Sequence, residues 1–149
     1  TWLVMKEMQS VDFTGKSVLD FGTGTGILAI LAEKLGAARG LAIDYDEWSI
    51  RNAEENILGN HCERISIEQM ETIPTGDQYD IILANINLNV LVSHMPVIAS
   101  VTRSGGVVIF SGVLHTDLAA LRSALDGTGF TERNCTQRGD WMMLSVNRI

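Results

Sequence analysis

Apolar positions along this chain alternate between continuous or two-residue patterns and spacings near 3.6, the rhythm of strands interleaved with helices. Trp2, Met5 and Met8 recur every three residues and predict a short helix covering one side of the fold. After the turn at Thr14-Gly15, the run Ser17–Phe21 reads as a buried strand, and a glycine-rich turn follows it at once. Ile27, Leu28, Leu31 and Leu35 then keep helical spacing, with Gly36 as the stop. Gly40–Ile43 is the second strand and ends on Asp44; Ile50, Ala53 and Ile57 mark a helix closed by Gly59-Asn60.

Arg64–Glu68 alternates as a half-exposed strand does, and Tyr79–Ala84 reads as a central strand that ends at Asn85. Leu88, Leu91, Val92, Met95 and Ile98 predict a helix in which Pro96 introduces a kink or a break. Gly105-Gly106 turns the chain into the strand Val107–Phe110; Leu118, Leu121 and Leu125 form another helix, ended near Gly127 to Gly129. Thr131–Thr136 and Trp141–Val146 flank Arg138-Gly139-Asp140 and pair as a hairpin. The prediction is a single α/β domain over residues 1–149, Rossmann-like: a mostly parallel seven-stranded sheet, helices on both faces and an antiparallel strand from the C-terminal hairpin.

Composition changes this picture little. With 46% hydrophobic and 19% charged residues the chain has the balance of a globular domain, not a disordered one. The net charge of −7 argues against general nucleic-acid binding, which needs clustered Lys and Arg. No apolar run approaches the roughly 20 residues that span a bilayer. Cys62 and Cys135 have no metal-type spacing and read as reduced thiols of a cytoplasmic protein, and His61, His94 and His115 stand isolated, so no metal site is expected. The N-terminus begins without Met, in the middle of amphipathic sequence, as a fragment of a longer protein does.

The candidate chemistry gathers where an open α/β sheet binds ligands, outside the carboxyl ends of its strands. Asp20-Phe21-Gly22-Thr23-Gly24-Thr25-Gly26 joins the first strand to its helix. Gly22 and Gly24 admit a ligand close to the main chain, and the helix N-terminus behind them suits a carboxylate or a phosphate. A dinucleotide fingerprint beginning at Gly22 needs glycine at position 27, where this chain has Ile27. Asp20 can meet a ligand ammonium group or simply fix the loop. An ammonium and a carboxylate together are the methionine end of S-adenosylmethionine.

Asp44, 18 residues beyond Gly26, can accept hydrogen bonds from both ribose hydroxyls of an adenosine, and Tyr45 can pack on its adenine. Asp46 is placed to start the next helix. Asn85 leaves the fourth strand with an amide suited both to the cofactor and to an incoming amine, and is the candidate catalytic residue; Asn87 reads as the cap of the following helix. Trp141 reads as core in preference to the wall of a substrate pocket at the end of the sheet, and Glu54, Glu55 and Glu63 as solvated charges.

These residues resemble the methyltransferases of ribosomal protein eleven of the large subunit. VLDFGTGTGILAILAEKLGA and AIDYDEWSIRNAEENILGN are similar to that family's cofactor half, and ANINLNVL, GGVVIFSGVL and DWMML to its later strands. The resemblance covers essentially the whole chain. It implies a class I methyltransferase fold, S-adenosyl-L-methionine bound by Gly22, Asp44 and Asn85, and Thr1 matching the second threonine of a His-x-Thr-Thr segment that touches the cofactor. It also implies acceptors that are lysine side chains and an N-terminal amine of a ribosomal protein, and a substrate-recognition domain ahead of the catalytic one. An NAD-linked oxidoreductase domain and a non-catalytic nucleoside-binding module are the competing readings. Missing glycine at Ile27 and the terminal hairpin weigh against the first.

Overall fold

The computed structural model describes residues 1–149. In chain order its elements are α1 (Trp2–Met8), β1 (Ser17–Phe21), α2 (Ile27–Lys34), β2 (Arg39–Asp44), α3 (Glu47–Gly59), β3 (Ile65–Gln69), β4 (Tyr79–Asn85), α4 (Leu88–Val101), β5 (Thr102–Leu114), α5 (Leu118–Leu125), β6 (Phe130–Arg138) and β7 (Trp141–Arg148). The strands form one seven-stranded sheet in the order β3-β2-β1-β4-β5-β7-β6. β7 runs antiparallel to both of its neighbours, β5 and β6, and all the other strands point one way. This is the architecture expected from the alternation.

Side-chain alternation along the strands divides the core in two. Val18, Ile81, Leu83, Ile109 and Met143 point to the side covered by α1 and α2, where they meet Leu3, Val4, Met8, Leu28 and Ala32. Leu19, Ile82, Ala84, Val108, Phe110 and Leu144 point to the other side and meet Leu91, Met95 and Ile98 of α4 and Leu121 of α5. The central strands are buried on both faces, which is why they read as near-continuous apolar runs. β1 lies next to both β2 and β4, so strand order reverses between β1 and β4 and opens a crevice at their carboxyl ends.

Four details differ from the sequence reading. α1 buries Leu3, Val4 and Met8, while Trp2 is 51% exposed, so its buried face is rotated from the one that the three-residue repeat suggested. α4 passes through Pro96 without a break. That residue lies on the exposed side of the helix, where water can satisfy the carbonyl deprived of its donor. The Gly105-Gly106 turn survives as an irregularity within a longer β5: Tyr79 pairs with Thr102 and Ile81 with Val107, leaving four residues opposite Asp80 alone. The terminal strands are longer than expected, with only Gly139-Asp140 between them.

Candidate functional site

The turn after β1 is built by its own backbone and by two aspartates. Gly22 and Thr23 both donate their amides to the Ile43 carbonyl of β2 at 2.9 Å. The Gly24 amide donates to Asp44 Oδ2 at 2.9 Å, and Asp44 Oδ1 accepts from the Asp46 amide at 3.0 Å. One carboxylate thereby ties the glycine turn to the start of α3. Asp46 caps that helix as expected, accepting from the Ser49 amide at 3.0 Å.

Asp20 lies behind the turn. It is 1% exposed, lines neither of the cavities described below and accepts from the Thr23 hydroxyl at 2.6 Å, while its other oxygen has no partner. Of the two roles open to it from sequence, this geometry supports loop fixing and not direct contact with a ligand ammonium. Burial pushes its pKa up from 3.8 to about 6, against the pull of the Thr23 hydroxyl, and nearby Asp44 adds to the rise. The sign of the consequence is fixed by linkage. Between those two values the folded state holds a proton that the unfolded chain has lost, so this group's contribution to stability falls as pH rises from about 4 to 6. Asp20→Asn keeps an oxygen for Thr23 and removes the charge. Its stability relative to the parent should increase with pH, by up to about 3 kcal/mol above pH 7. Urea unfolding at pH 5 and pH 8 measures this; an equal difference at both values would contradict it.

Beyond β4 the chain turns through Asn85-Ile86-Asn87. Asn85 Nδ2 donates to Thr1 Oγ1 at 3.2 Å, which brings together two candidates that are 84 residues apart. Asn87 caps α4, accepting from the Val90 amide at 3.1 Å. Ile86 is wedged between two glycines. A Cβ on Gly22 would stand 2.9 Å from Ile86 Cδ1, and one on Gly112 would stand 2.9 Å from Ile86 N and 3.0 Å from its carbonyl oxygen. Gly112 has φ +80° and lies within the β5–β7 register shift, so the missing side chain lets the Asn85–Asn87 segment lie against β5. The Ile86 amide completes the fit by donating to the Ser111 carbonyl at 3.1 Å.

Two cavities meet across this segment. One, of ≈ 690 Å³, lies over β1 and β2 and is lined by Phe21, Gly22, Asp44, Tyr45, Met70 and His94, among others. The other, of ≈ 780 Å³, lies over β4 and β5 and is lined by Thr1, Trp2, Asn85, Ser111, Gly112 and Trp141 among others. Ile86 and Asn87 line both. The structure therefore gathers Gly22, Asp44, Tyr45, Asn85 and Thr1 along one edge of the sheet. Gly24 joins through its bond to Asp44, and Asp20 stays beneath.

Sequence reasoning missed two lining residues and ranked the role of a third second. Trp141, for which core packing was preferred over a pocket wall, is 54% exposed and walls the larger cavity. Trp2 lines the same cavity, with the Arg138 guanidinium 4.1 Å from its ring centroid. His94 packs its ring against Phe21, with centroids 4.9 Å apart, and its Nδ1 lies 2.9 Å from the Val90 carbonyl and 3.0 Å from the Ser93 hydroxyl. Asn87, Val90 and His94 share one face of α4 at helical spacing, a signal that was available once Asn87 was assigned as the cap.

The family model for ribosomal protein L11 methyltransferase (PrmA) matches residues 1–149 of this chain. The chain belongs to the ribosomal protein L11 methyltransferase family. A relative of that name from Porphyromonas gingivalis is 38% identical over 146 residues, covering 97% of this chain and 50% of the relative. One from Lactobacillus johnsonii is 35% identical over 149 residues, covering 99% of this chain and 47% of the relative. The chain thus spans about half the length of the curated family members it matches. The crystal structure of ribosomal protein L11 methylase from Lactobacillus delbrueckii subsp. bulgaricus superimposes with a TM-score of 0.93 at 33% identity, covering 98% of this chain and 76% of that one. An S-adenosylmethionine-dependent methyltransferase from Mesorhizobium loti, only 16% identical, shares the fold with a TM-score of 0.80 over 99% of this chain and 97% of its own. Family membership and fold argue against the oxidoreductase reading.

Proposed function

We propose that residues 1–149 form the catalytic domain of an S-adenosylmethionine-dependent methyltransferase that modifies amines of a large-subunit ribosomal protein. The observation that carries this reading is the meeting of two cavities at Ile86 and Asn87, one holding Asp44 and the glycine turn, the other Asn85 and Thr1. The residues fit the cofactor on three counts. Asp44 presents a carboxylate to a nucleoside ribose at the end of β2, Tyr45 is 67% exposed beside it for an adenine, and Gly22 leaves the turn without a side chain. Asn85 and Thr1 stand over β4 for the polar methionine end.

Bound S-adenosylmethionine supplies an electrophilic methyl group on its sulfonium. The chain's own work is to orient and to exclude water. A lysine acceptor must first lose a proton, which at pH 7 costs about 4–5 kcal/mol from a reference pKa near 10.4. The apolar walls of the larger cavity lower that cost by disfavouring the ammonium form. The Asn85 amide oxygen can accept from the amine and aim its lone pair, while water carries the proton away. No side chain at the junction of the cavities is an evident general base, so positioning and desolvation carry the catalysis.

No helix is long and apolar enough to cross a membrane, and a ribosomal acceptor puts the proposed activity in the cytoplasm. The test is transfer of labelled methyl from S-adenosylmethionine to purified ribosomal protein L11. Label on lysine side chains or the N-terminal amine is expected. Residues 1–149 alone should bind cofactor yet label that protein poorly without the recognition domain that the resemblance implies. Bound cofactor with no label on any of its amines, when the domain is tested within a full-length family member, would contradict the proposed acceptor.

A further inference from the structure

Glu7 is a carboxylate that the proposed mechanism does not use, and it is 5% exposed. Burying a charge is costly unless donors surround it. Three do: Ser145 Oγ donates to Oε1 at 2.7 Å, Asn134 Nδ2 to Oε2 at 2.8 Å, and the Arg133 guanidinium pairs with Oε1. The other arm of Arg133 reaches the Ser10 carbonyl at 2.8 Å, just past the end of α1.

A local irregularity makes this cluster possible. Glu132 pairs with Val146 and Asn134 with Ser145, so Arg133 is an extra residue in β6. In a regular strand Arg133 and Asn134 point to opposite faces. Here Asn134 sits across from Ser145, on the α1 side of the sheet, and the bulge turns both residues toward Glu7. Glu132, one position earlier, faces the other way and pairs with Arg122 of α5.

We infer that Glu7 is a positioning residue for the ligand edge: its cluster with Arg133, Asn134 and Ser145 sets the register of α1, so that Thr1 meets Asn85. Leu3, Val4 and Met8 hold the helix by apolar contact, which has no direction and permits rotation or sliding. The polar cluster is directional and grips the last turn. Six residues of helix, about 9 Å, carry that constraint to Thr1. At the other end the Arg138 guanidinium, from the same strand β6, lies over Trp2. β6 thereby ties α1 at both ends, although it is the strand farthest from the site in the sheet order.

The affinity arm of the test rests on the proposed cofactor; the other arm does not. Glu7→Gln keeps the size of the side chain but turns one acceptor into a donor, and Asn134→Ala removes a single partner if the first variant fails to fold. In either variant the Asn85 side-chain amide resonance should shift, and the Met5 amide, which donates to the Thr1 carbonyl at 2.9 Å, should exchange faster. The dissociation constant for S-adenosylhomocysteine should rise roughly tenfold in the parent background and change by less than about twofold when Thr1 is already alanine. A merely structural role predicts equal losses in both backgrounds, or lower thermal stability with an unmoved Asn85 resonance and affinity, and either result overturns the inference. Failure of the parent to bind S-adenosylhomocysteine would sink the cofactor reading alone; the Asn85 and Met5 signals would then decide whether Glu7 positions α1.

Discussion

Replacing Asp44 with alanine should weaken S-adenosylhomocysteine binding by at least roughly 100-fold, the sum of two charge-assisted hydrogen bonds at about 1.5–3 kcal/mol each. The structure makes the effect larger than a lost ribose contact. Asp44 also accepts from the amides of Gly24 and Asp46, so the alanine variant unties the glycine turn from α3 as well. Asp44→Asn separates the two contributions. It keeps one acceptor oxygen but loses the charge, and its affinity should fall between those of the parent and the alanine variant. Calorimetric titration of folded variants checks both. Unchanged affinity in Asp44→Ala would remove the ribose from this carboxylate.

The second large effect is expected at Asn85. Asn85→Asp is nearly isosteric and can keep its contact with Thr1, because the threonine hydroxyl can turn to donate. What changes is the charge in the larger cavity, one residue before the segment that both cavities share. A carboxylate there repels the cofactor carboxylate placed nearby and holds an acceptor lysine in its unreactive ammonium form. Both act against transfer. The single-turnover rate at saturating cofactor should drop by at least about 100-fold, some 2.7 kcal/mol of barrier. Asn85→Ala should lose less, since it removes an orienting group without installing a charge. Parent-like rates in both variants would mean that Asn85 is a loop residue outside the reacting geometry.

The strands and the order of elements were legible because burial on both faces writes itself into sequence as apolar runs such as Ile81–Ala84. The ends of those strands were legible for the same reason: a polar residue that closes an apolar run, as Asp44 and Asn85 do, stands at the ligand edge of such a sheet. The caps at Asp46 and Asn87 followed from local chemistry within three residues. The misread positions need contacts that local pattern does not contain. Trp141 carries the composition of a core residue, and only the crossing of β7 beside β5 turns it into a cavity wall. Trp2 suggested the buried face of α1 because its spacing to Met5 and Met8 outweighed the adjacent Leu3 and Val4. For Asp20 the sequence left two roles open, since the choice depends on which face of β1 its side chain occupies. Glu7 was invisible: its partners lie more than 120 residues away and depend on one extra residue in β6.

The central claim is that the crevice between β1 and β4 takes S-adenosylmethionine with its nucleoside over Asp44. Titrating the parent protein with S-adenosylhomocysteine and, separately, with NAD tests it most directly. The account predicts saturable binding of S-adenosylhomocysteine at one site per chain, abolished or greatly weakened in Asp44→Ala, and no comparable binding of NAD. Tight binding of NAD with no response to S-adenosylhomocysteine would contradict it.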